Sequence, residues 1–260
     1  MGTCSACREP LVLQVNDGDE DEEPQVVPDD LEAPCGCHFH WQCLFDQASE
    51  LVISLRCPSC GAELATSTSG PSAANPLLAS SAGVAILTTY TNEGGIQEHY
   101  DILPEITEEA YLDANPEARP ARAYHVMCSE GDVGGIVELL RDAERADGDE
   151  PRLSTLQLVR YQDPLGGSKS GLHLAVERRQ TDVVWLLLWI ASTLPAGVFP
   201  DPVRQAVETM GIQRPSIPSS DDIRALRDNR GRTAEAVAAQ TGGRMAAMMD
   251  TGVLYPGPYE

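Results

Sequence analysis

Seven cysteines and one histidine fall into short pairs near the amino terminus, and this pattern restricts the possible folds more than any other feature of the chain. In order they are Cys4, Cys7, Cys35, Cys37, His40, Cys43, Cys57 and Cys60. Two thiolates separated by two residues can bend back onto one metal ion, so each pair supplies half of a four-ligand site. The spacing therefore predicts two tetrahedral zinc ions.

Two alternatives bear on this ligand set. His38 is a competing histidine, but it adjoins Cys37, whereas His40 and Cys43 form a chelating pair across one helical turn. His40 is therefore the preferred ligand, and His38 is interpreted as a surface residue or as support for a ligand. A disulfide framework would require a secretory signal, and residues 1–7 have neither a basic start nor an apolar stretch. Reduced, metal-bound thiols are thus favoured.

Both predicted sites are filled entirely by protein side chains. A catalytic zinc keeps one position open for water, so eight well-spaced ligands indicate two structural ions and no catalytic residue at the metal. The metal would supply folding free energy to a segment too small to fold on its own apolar contacts.

The order of the ligands resembles the RING finger family, and Cys37, where the commonest RING pattern has histidine, makes it similar to the RING-CH variant. In this family the first and third pairs bind one ion, and the second and fourth pairs bind the other. The resemblance implies one site of Cys4, Cys7, His40 and Cys43 and a second of Cys35, Cys37, Cys57 and Cys60.

RING fingers commonly act as ubiquitin ligases that hold a ubiquitin-loaded conjugating enzyme, whose own cysteine is catalytic. The family contacts this partner through an apolar residue within the first pair, a large residue about four positions after the sixth ligand and a proline after the seventh. The corresponding residues are Ala6, Gln47 and Pro58, helped by Leu44, and Gly61 stands where the family often has a basic residue that contacts ubiquitin.

A helix is predicted over residues 41–55 because apolar side chains recur on one face. They are Leu44, Ala48, Leu51, Val52 and Leu55. We expect this face to pack beneath the zinc loops and Phe45 to lie on the exposed side as a further partner contact.

The net charge of −22 disfavours nucleic acid as a partner, because its phosphates would be repelled. Many of the acidic residues are concentrated in residues 17–32, which predicts a solvated loop between the first two ligand pairs. Such a loop either steers a basic protein partner or is a merely soluble insertion, and the sequence leaves both open.

Lys169 is the only lysine among eighteen basic residues, so the chain offers few amines for ubiquitin attachment. A protein that activates ubiquitin transfer would benefit from this composition, since arginine is not the usual acceptor. Codon bias explains the same count equally well.

Residues 64–83 are rich in serine, alanine, proline and threonine and predict a flexible linker. Two β-rich runs then flank a turn at residues 92–95, which predicts a hairpin and a connector over residues 84–118. Two strands alone are marginally stable, so the hairpin should pack against the zinc segment or the following helices.

Residues 119–251 contain three related segments, which begin near Met127, Ser170 and Asp228 and resemble ankyrin repeats. The middle segment matches best, because Ser170-Gly-Leu-His173 stands where the family has Thr-Pro-Leu-His. Each segment is predicted to form a pair of short helices that cannot bury its apolar face alone. About three stacked units are therefore the minimum for stability. His173 is interpreted as a residue that hydrogen-bonds neighbouring turns, and Cys128 as core.

The repeat spacing departs from the family. Gly131 and Arg179 are 48 residues apart, and Arg179 and Gly242 are 63 apart, against a repeat of about 33. Insertions over residues 147–156 and 194–221 should therefore leave the stack. Trp189 is interpreted either as helix packing or as a binding surface.

The sequence thus predicts an α+β protein with a small two-zinc RING-like domain at residues 1–63, an ankyrin-like helical domain at 119–251 and a tail at 252–260. No apolar run is long enough to cross a membrane, and the expected location is the cytoplasm or nucleus. Two functions fit: a RING-type ubiquitin ligase that binds a conjugating enzyme and, through its helical half, a protein substrate, or a non-catalytic zinc-containing adaptor.

Overall fold

The computed structural model describes residues 2–15, 25–67, 83–145 and 153–257. The chain divides into two compact units, Met1–Asn115 and Pro116–Glu260. The first unit combines strands with three helices, and the second is mainly helical, which agrees with the α+β class.

The first unit contains the elements β1 (Val12–Val15), β2 (Gln25–Pro28), β3 (Asp30–Glu32), β4 (His38–Phe39), α1 (Trp41–Phe45), α2 (Ala48–Ser54), β5 (Thr66–Ser67), β6 (Val84–Ala85), β7 (Leu87–Asn92), β8 (Gly95–Asp101) and α3 (Leu103–Ala114). A four-stranded antiparallel sheet has the order β4-β3-β7-β8. The hairpin β7–β8 confirms the turn predicted at residues 92–95. The hairpin shares this sheet with β3 and β4, so the first unit includes the hairpin in addition to residues 1–63.

The core of the first unit lies between this sheet and its helices. Its most deeply buried side chains include Leu31, Phe39, Leu44, Leu51, Leu64, Ile86, Ile102 and Ile106. Strand β5 pairs with β6 across the expected linker, of which residues 68–82 lie outside the described part of the chain.

The helix predicted over residues 41–55 is two helices, α1 and α2, separated at Asp46 and Gln47. No glycine or proline marks this break in the sequence. The expected exposure of Phe45 is wrong: the side chain is buried, and its ring stacks on Trp41 with centroids 4.3 Å apart. Stacking on a large neighbouring ring stabilises burial of an aromatic side chain.

The solvated loop expected over residues 17–32 is also wrong in its second half, where the chain forms β2 and β3. Asp29 is buried because its carboxylate accepts hydrogen bonds from the backbone N–H of Trp41 and the hydroxyl of Tyr90. A buried carboxylate is tolerated when such donors replace water. Residues 16–24, which carry the rest of the acidic run, lie outside the described residues.

The second unit contains α4 (Arg119–Glu130), α5 (Val133–Arg145), α6 (Thr155–Val159), β9 (Gln162–Asp163), β10 (Lys169–Ser170), α7 (Gly171–Glu177), α8 (Thr181–Ala191), α9 (Asp201–Thr209), α10 (Ala234–Thr241) and α11 (Gly243–Asp250). Three helix pairs, α4–α5, α7–α8 and α10–α11, follow one another, and α7 packs against both α4 and α10. The turns within the pairs contain Gly131, Arg179 and Gly242, each with positive φ. Arg179 thus has the positive φ that glycine has in the other two turns.

Histidines connect adjacent helix pairs. His173 Nδ1 lies 2.8 Å from Ser170 Oγ, and its Nε2 lies 2.9 Å from the carbonyl oxygen of Arg232 in the next turn, which confirms the interpretation of this residue. His125 Nε2 lies 3.2 Å from the carbonyl oxygen of Tyr161. His125 precedes His173 by the same 48 residues that separate Gly131 from Arg179, so the two histidines occupy corresponding positions in the first two helix pairs.

The insertion at residues 194–221 does not leave the stack. Helix α9 packs against α8, and Phe199 is buried with edge-on contacts to Trp185 and Trp189. Trp189 therefore takes part in packing. Apolar side chains within the insertion explain this outcome, since their burial against α8 is favourable. In the first insertion, residues 146–152 lie outside the described chain, and Thr155 begins α6.

Cys128 is fully buried in the core of this unit, as expected. Helix α8, the most apolar segment, also lies in this core. Within the described ranges, no helix combines the length and the hydrophobicity needed to span a membrane.

Candidate metal centre

The eight predicted ligands lie in two clusters of four. One contains Cys4, Cys7, His40 and Cys43, and the other contains Cys35, Cys37, Cys57 and Cys60. Within each cluster the ligand atoms all lie within 4.8 Å of one another. The pairs alternate along the chain between the clusters, as the RING resemblance implied, so each cluster joins two distant segments.

His40 is oriented for metal binding by its second ring nitrogen. Nδ1 faces the cluster, 3.3 Å from Cys7 Sγ and 3.7 Å from Cys43 Sγ, while Nε2 lies 2.8 Å from the carbonyl oxygen of Pro10. A carbonyl oxygen can only accept, so Nε2 carries the proton and donates it. The lone pair of Nδ1 is therefore directed at the three thiols, as in ligating histidines whose other nitrogen is held by a backbone carbonyl.

His38 lies outside both clusters. Its Nδ1 is 2.7 Å from Oδ1 of Asp30, and the two side chains are partly exposed. The position of His40 among the thiols agrees with the spacing argument.

Two turns of the same geometry present the Cys-x2-Cys pairs. In one, the N–H of Arg8 donates to the carbonyl of Cys4, and in the other the N–H of Gly61 donates to the carbonyl of Cys57. Both donor residues have positive φ, 71° for Arg8 and 73° for Gly61. Glycine adopts this conformation without strain, which gives position 61 a structural reason to lack a side chain.

Ionisation of the first cluster is uneven. Burial, followed by the neighbouring thiol of Cys7, raises the pKa of Cys43 to about 12. Burial also opposes ionisation of Cys4, but backbone N–H groups, including those of Cys7 and His40, lower the pKa of Cys4 to about 6. The Cys4 thiolate thus forms readily, whereas ionisation of Cys43 is favoured by a cation that offsets the negative charge.

The donor sets fit zinc. Thiolate and imidazole ligands in closed groups of four are typical of structural zinc sites, and Zn–S bonds of about 2.3 Å place the sulfurs of a tetrahedral site roughly 3.8 Å apart. The upper bound of 4.8 Å between ligand atoms is compatible with this geometry. All eight cysteines of the chain are free thiols. The clusters can therefore hold two metal ions, with zinc the ion that suits the ligands best.

The residues expected to contact a partner do not all lie on one surface. Gln47 and Pro58 line a shallow cavity of about 280 Å³ between α2 and the turn that follows Cys57. Ala6 is exposed but does not line this cavity. Leu44 is fully buried, so it supports the fold and cannot contact a partner.

Arg56 is a residue of this cavity that motif comparison overlooked. Its Nη1 donates a 3.0 Å hydrogen bond to the carbonyl of Gly61. The first unit holds twenty acidic residues and two basic ones, Arg8 and Arg56, and each of the two adjoins a Cys-x2-Cys pair. This scarcity of positive charge in the unit was a sequence signal that could have identified Arg56.

Comparison of the chain with protein-family models, curated proteins and solved structures gave no match.

Proposed function

We propose that this protein is a RING-type E3 ubiquitin ligase. The first unit, held by two structural zinc ions, recruits a ubiquitin-loaded conjugating enzyme, and the ankyrin-like helical unit binds a protein substrate. The observation that carries the proposal is the alternation of four ligand pairs between two closed clusters. Cys57 of the second cluster also lines the cavity that contains Gln47 and Pro58. Zinc would supply folding free energy and fixed geometry to the docking surface, and no bond-breaking chemistry.

Arg56 supports this proposal. Its guanidinium reaches the carbonyl of Gly61, so a positive charge is present beside the position where the family often has a basic residue. Arginine presents five donors in a planar fork and can bond a carboxylate or carbonyl of a docked partner. We therefore assign to Arg56 the contact that a basic residue at position 61 often makes in the family.

The only lysine also agrees with a ligase. Lys169 Nζ lies 2.7 Å from Glu177 Oε2, and about a quarter of the lysine side chain is exposed. The chain therefore presents little competition to a bound substrate for ubiquitin.

The test is discharge of ubiquitin from a panel of loaded conjugating enzymes in the presence of the zinc-loaded, full-length protein. We expect at least one enzyme to be accelerated, Pro58→Ala to weaken its binding, and Arg56→Ala to slow discharge at saturating enzyme. Ser59→Ala, which changes an exposed residue of the same turn outside the cavity lining, is the matched control. A panel in which no enzyme is accelerated rejects the ligase.

A second candidate is a non-catalytic adaptor in which the zinc unit is purely structural. It is favoured by the small apolar area that the expected contacts offer, because Ala6 is small, Gln47 is polar, and Leu44 and Phe45 are buried. The adaptor predicts no discharge with any conjugating enzyme while partner binding by the helical unit persists.

A further inference from the structure

The helical unit contains a cavity of about 690 Å³ whose walls come from α5, α6, α8 and the irregular segment 211–217. Apolar side chains dominate the lining, among them Leu140, Leu156, Ile190 and Ile217. Its volume falls in the range of sites that bind small ligands or the side chains of peptides. The clusters of the zinc unit lie in the other compact unit, so this is a separate site.

The wall formed by residues 211–217 is held rigidly by Arg214. The guanidinium lies over the ring of Phe199 at 4.8 Å and over that of Trp189 at 5.4 Å. Its Nη2 also donates to the backbone carbonyls of Ser192 and Leu194. Cation–π stacking combined with charged hydrogen bonds fixes the segment in position. The cavity is therefore preformed by the insertion and is absent from a simple stack of helix pairs.

The same wall has unused backbone hydrogen-bonding capacity. Between Ile212, whose N–H donates to the carbonyl of Val207, and Pro218, no backbone–backbone hydrogen bond joins residues 213–217 to any other described residue. An extended chain laid along this segment could pair with these groups, as peptides do when they add a strand to an exposed edge. Alternate side chains of such a peptide would enter the apolar cavity.

The charges at the rim select the composition of the peptide. Three charged residues line the cavity: Arg141, Arg214 and Glu144. Arg141 is exposed, and among the described residues the carbonyl of Met210 is the hydrogen-bond partner of its guanidinium. The chain as a whole has a net charge of −22, so a local excess of positive charge at an apolar cavity is unusual and favours a carboxylate in the ligand.

We propose that this cavity binds an extended peptide segment of a partner protein, with apolar side chains in the cavity and an acidic side chain at Arg141. The site deepens the proposed function, because it would be the place where the helical unit recognises a substrate. It does not depend on ubiquitin transfer, so peptide binding and discharge can succeed or fail separately.

The test uses a phage-displayed library of random dodecapeptides, selected on the full-length, zinc-loaded protein. We expect enrichment of peptides that combine alternating apolar residues with aspartate or glutamate. The best peptide should bind at least tenfold more weakly to Arg141→Glu and to Leu156→Ser. Arg145→Glu is the matched control, because Arg145 lies one turn further along α5, is exposed and does not line the cavity, and it should change the affinity less than twofold.

Hydrogen exchange supplies a readout that nonspecific charge attraction would not change. Bound peptide should slow exchange of the backbone amides of residues 213, 214, 216 and 217, whereas Pro215 has no N–H. Arg141→Gln, a milder change, should give an intermediate loss of affinity if Arg141→Glu disturbs folding.

Three outcomes would overturn the proposal: no enriched peptide, enriched peptides that bind Arg141→Glu and Leu156→Ser as tightly as the unaltered protein, or a preference for basic peptides. If selection fails while ultracentrifugation finds a dimer that Arg141→Glu dissociates, the occupant is a second copy of this chain and the partner peptide is rejected.

Discussion

Acidification should destabilise the helical unit through His125. The imidazole is 1% exposed, its Nε2 donates to the carbonyl of Tyr161, and its Nδ1 has no hydrogen-bond partner among the described residues. Protonation would place an N–H without an acceptor inside the core. Burial accordingly lowers the pKa of His125 from 6.5 to about 4.

The direction in which pH changes the free energy of unfolding follows from proton uptake. Between pH 6.5 and pH 4 the unfolded chain binds a proton at His125 and the folded chain does not, so the free energy of unfolding falls as the pH falls through this window. Between pH 7 and pH 5 the loss from this residue amounts to about 2 kcal/mol. Burial also lowers the pKa of His173, which adds a loss in the same direction.

We would measure urea unfolding at pH 7 and pH 5 by tryptophan fluorescence in a Trp41→Phe background, so that the signal comes from Trp185 and Trp189 in the helical unit. His125→Gln keeps a donor for Tyr161 but cannot titrate. It should reduce the difference between the two pH values by about 2 kcal/mol.

Met127→Leu is the control for this experiment, because it alters packing on the same helix without adding or removing a titratable group. It can change the stability at both pH values but should preserve their difference. A His125→Gln variant that keeps the full pH difference of the parent would refute the assignment of the effect to this buried imidazole.

Three further predictions concern the metal clusters and the backbone. Mass spectrometry of the purified protein should find two zinc ions per chain, His40→Ala should reduce this to about one, and His38→Ala should leave two, since only His40 lies in a cluster. Arg179→Gly should raise the free energy of unfolding by about 0.5–1 kcal/mol, because it relieves a left-handed conformation at φ 63°; an unchanged urea midpoint would contradict this. Gly171→Ala should lower stability by about 1–3 kcal/mol, because the new Cβ would lie 2.5 Å from the hydroxyl oxygen of the buried Tyr124; a melting temperature equal to that of the parent would contradict it.

The ligand clusters could be predicted from the sequence because metal chelation depends on short spacings. A Cys-x2-Cys pair closes on one ion through local geometry alone, and His40 differs from His38 by its distance along the chain from Cys43. The hydrogen bonds of His173 and the hairpin at residues 92–95 could be predicted for the same reason, since each belongs to a short local pattern.

The residues that sequence reasoning misplaced depend on contacts between distant segments. Phe45 is buried because its ring stacks on Trp41, which itself packs against the distant Tyr90 with ring centroids 5.0 Å apart. Asp29 is buried because Tyr90, 61 residues away, donates to its carboxylate. The position of Tyr90 cannot be identified from local periodicity.

The sequence by itself determined which side chains can bind metal, the repeated helical character of the second half and the acidic nature of the first, since these follow from local spacing and composition. Only the tertiary structure decided that the insertion at residues 194–221 folds back onto α8 and creates a cavity with Arg214 in its wall. The physical reason is that burial free energy depends on which surfaces meet, and surfaces far apart in the chain meet only in the folded protein.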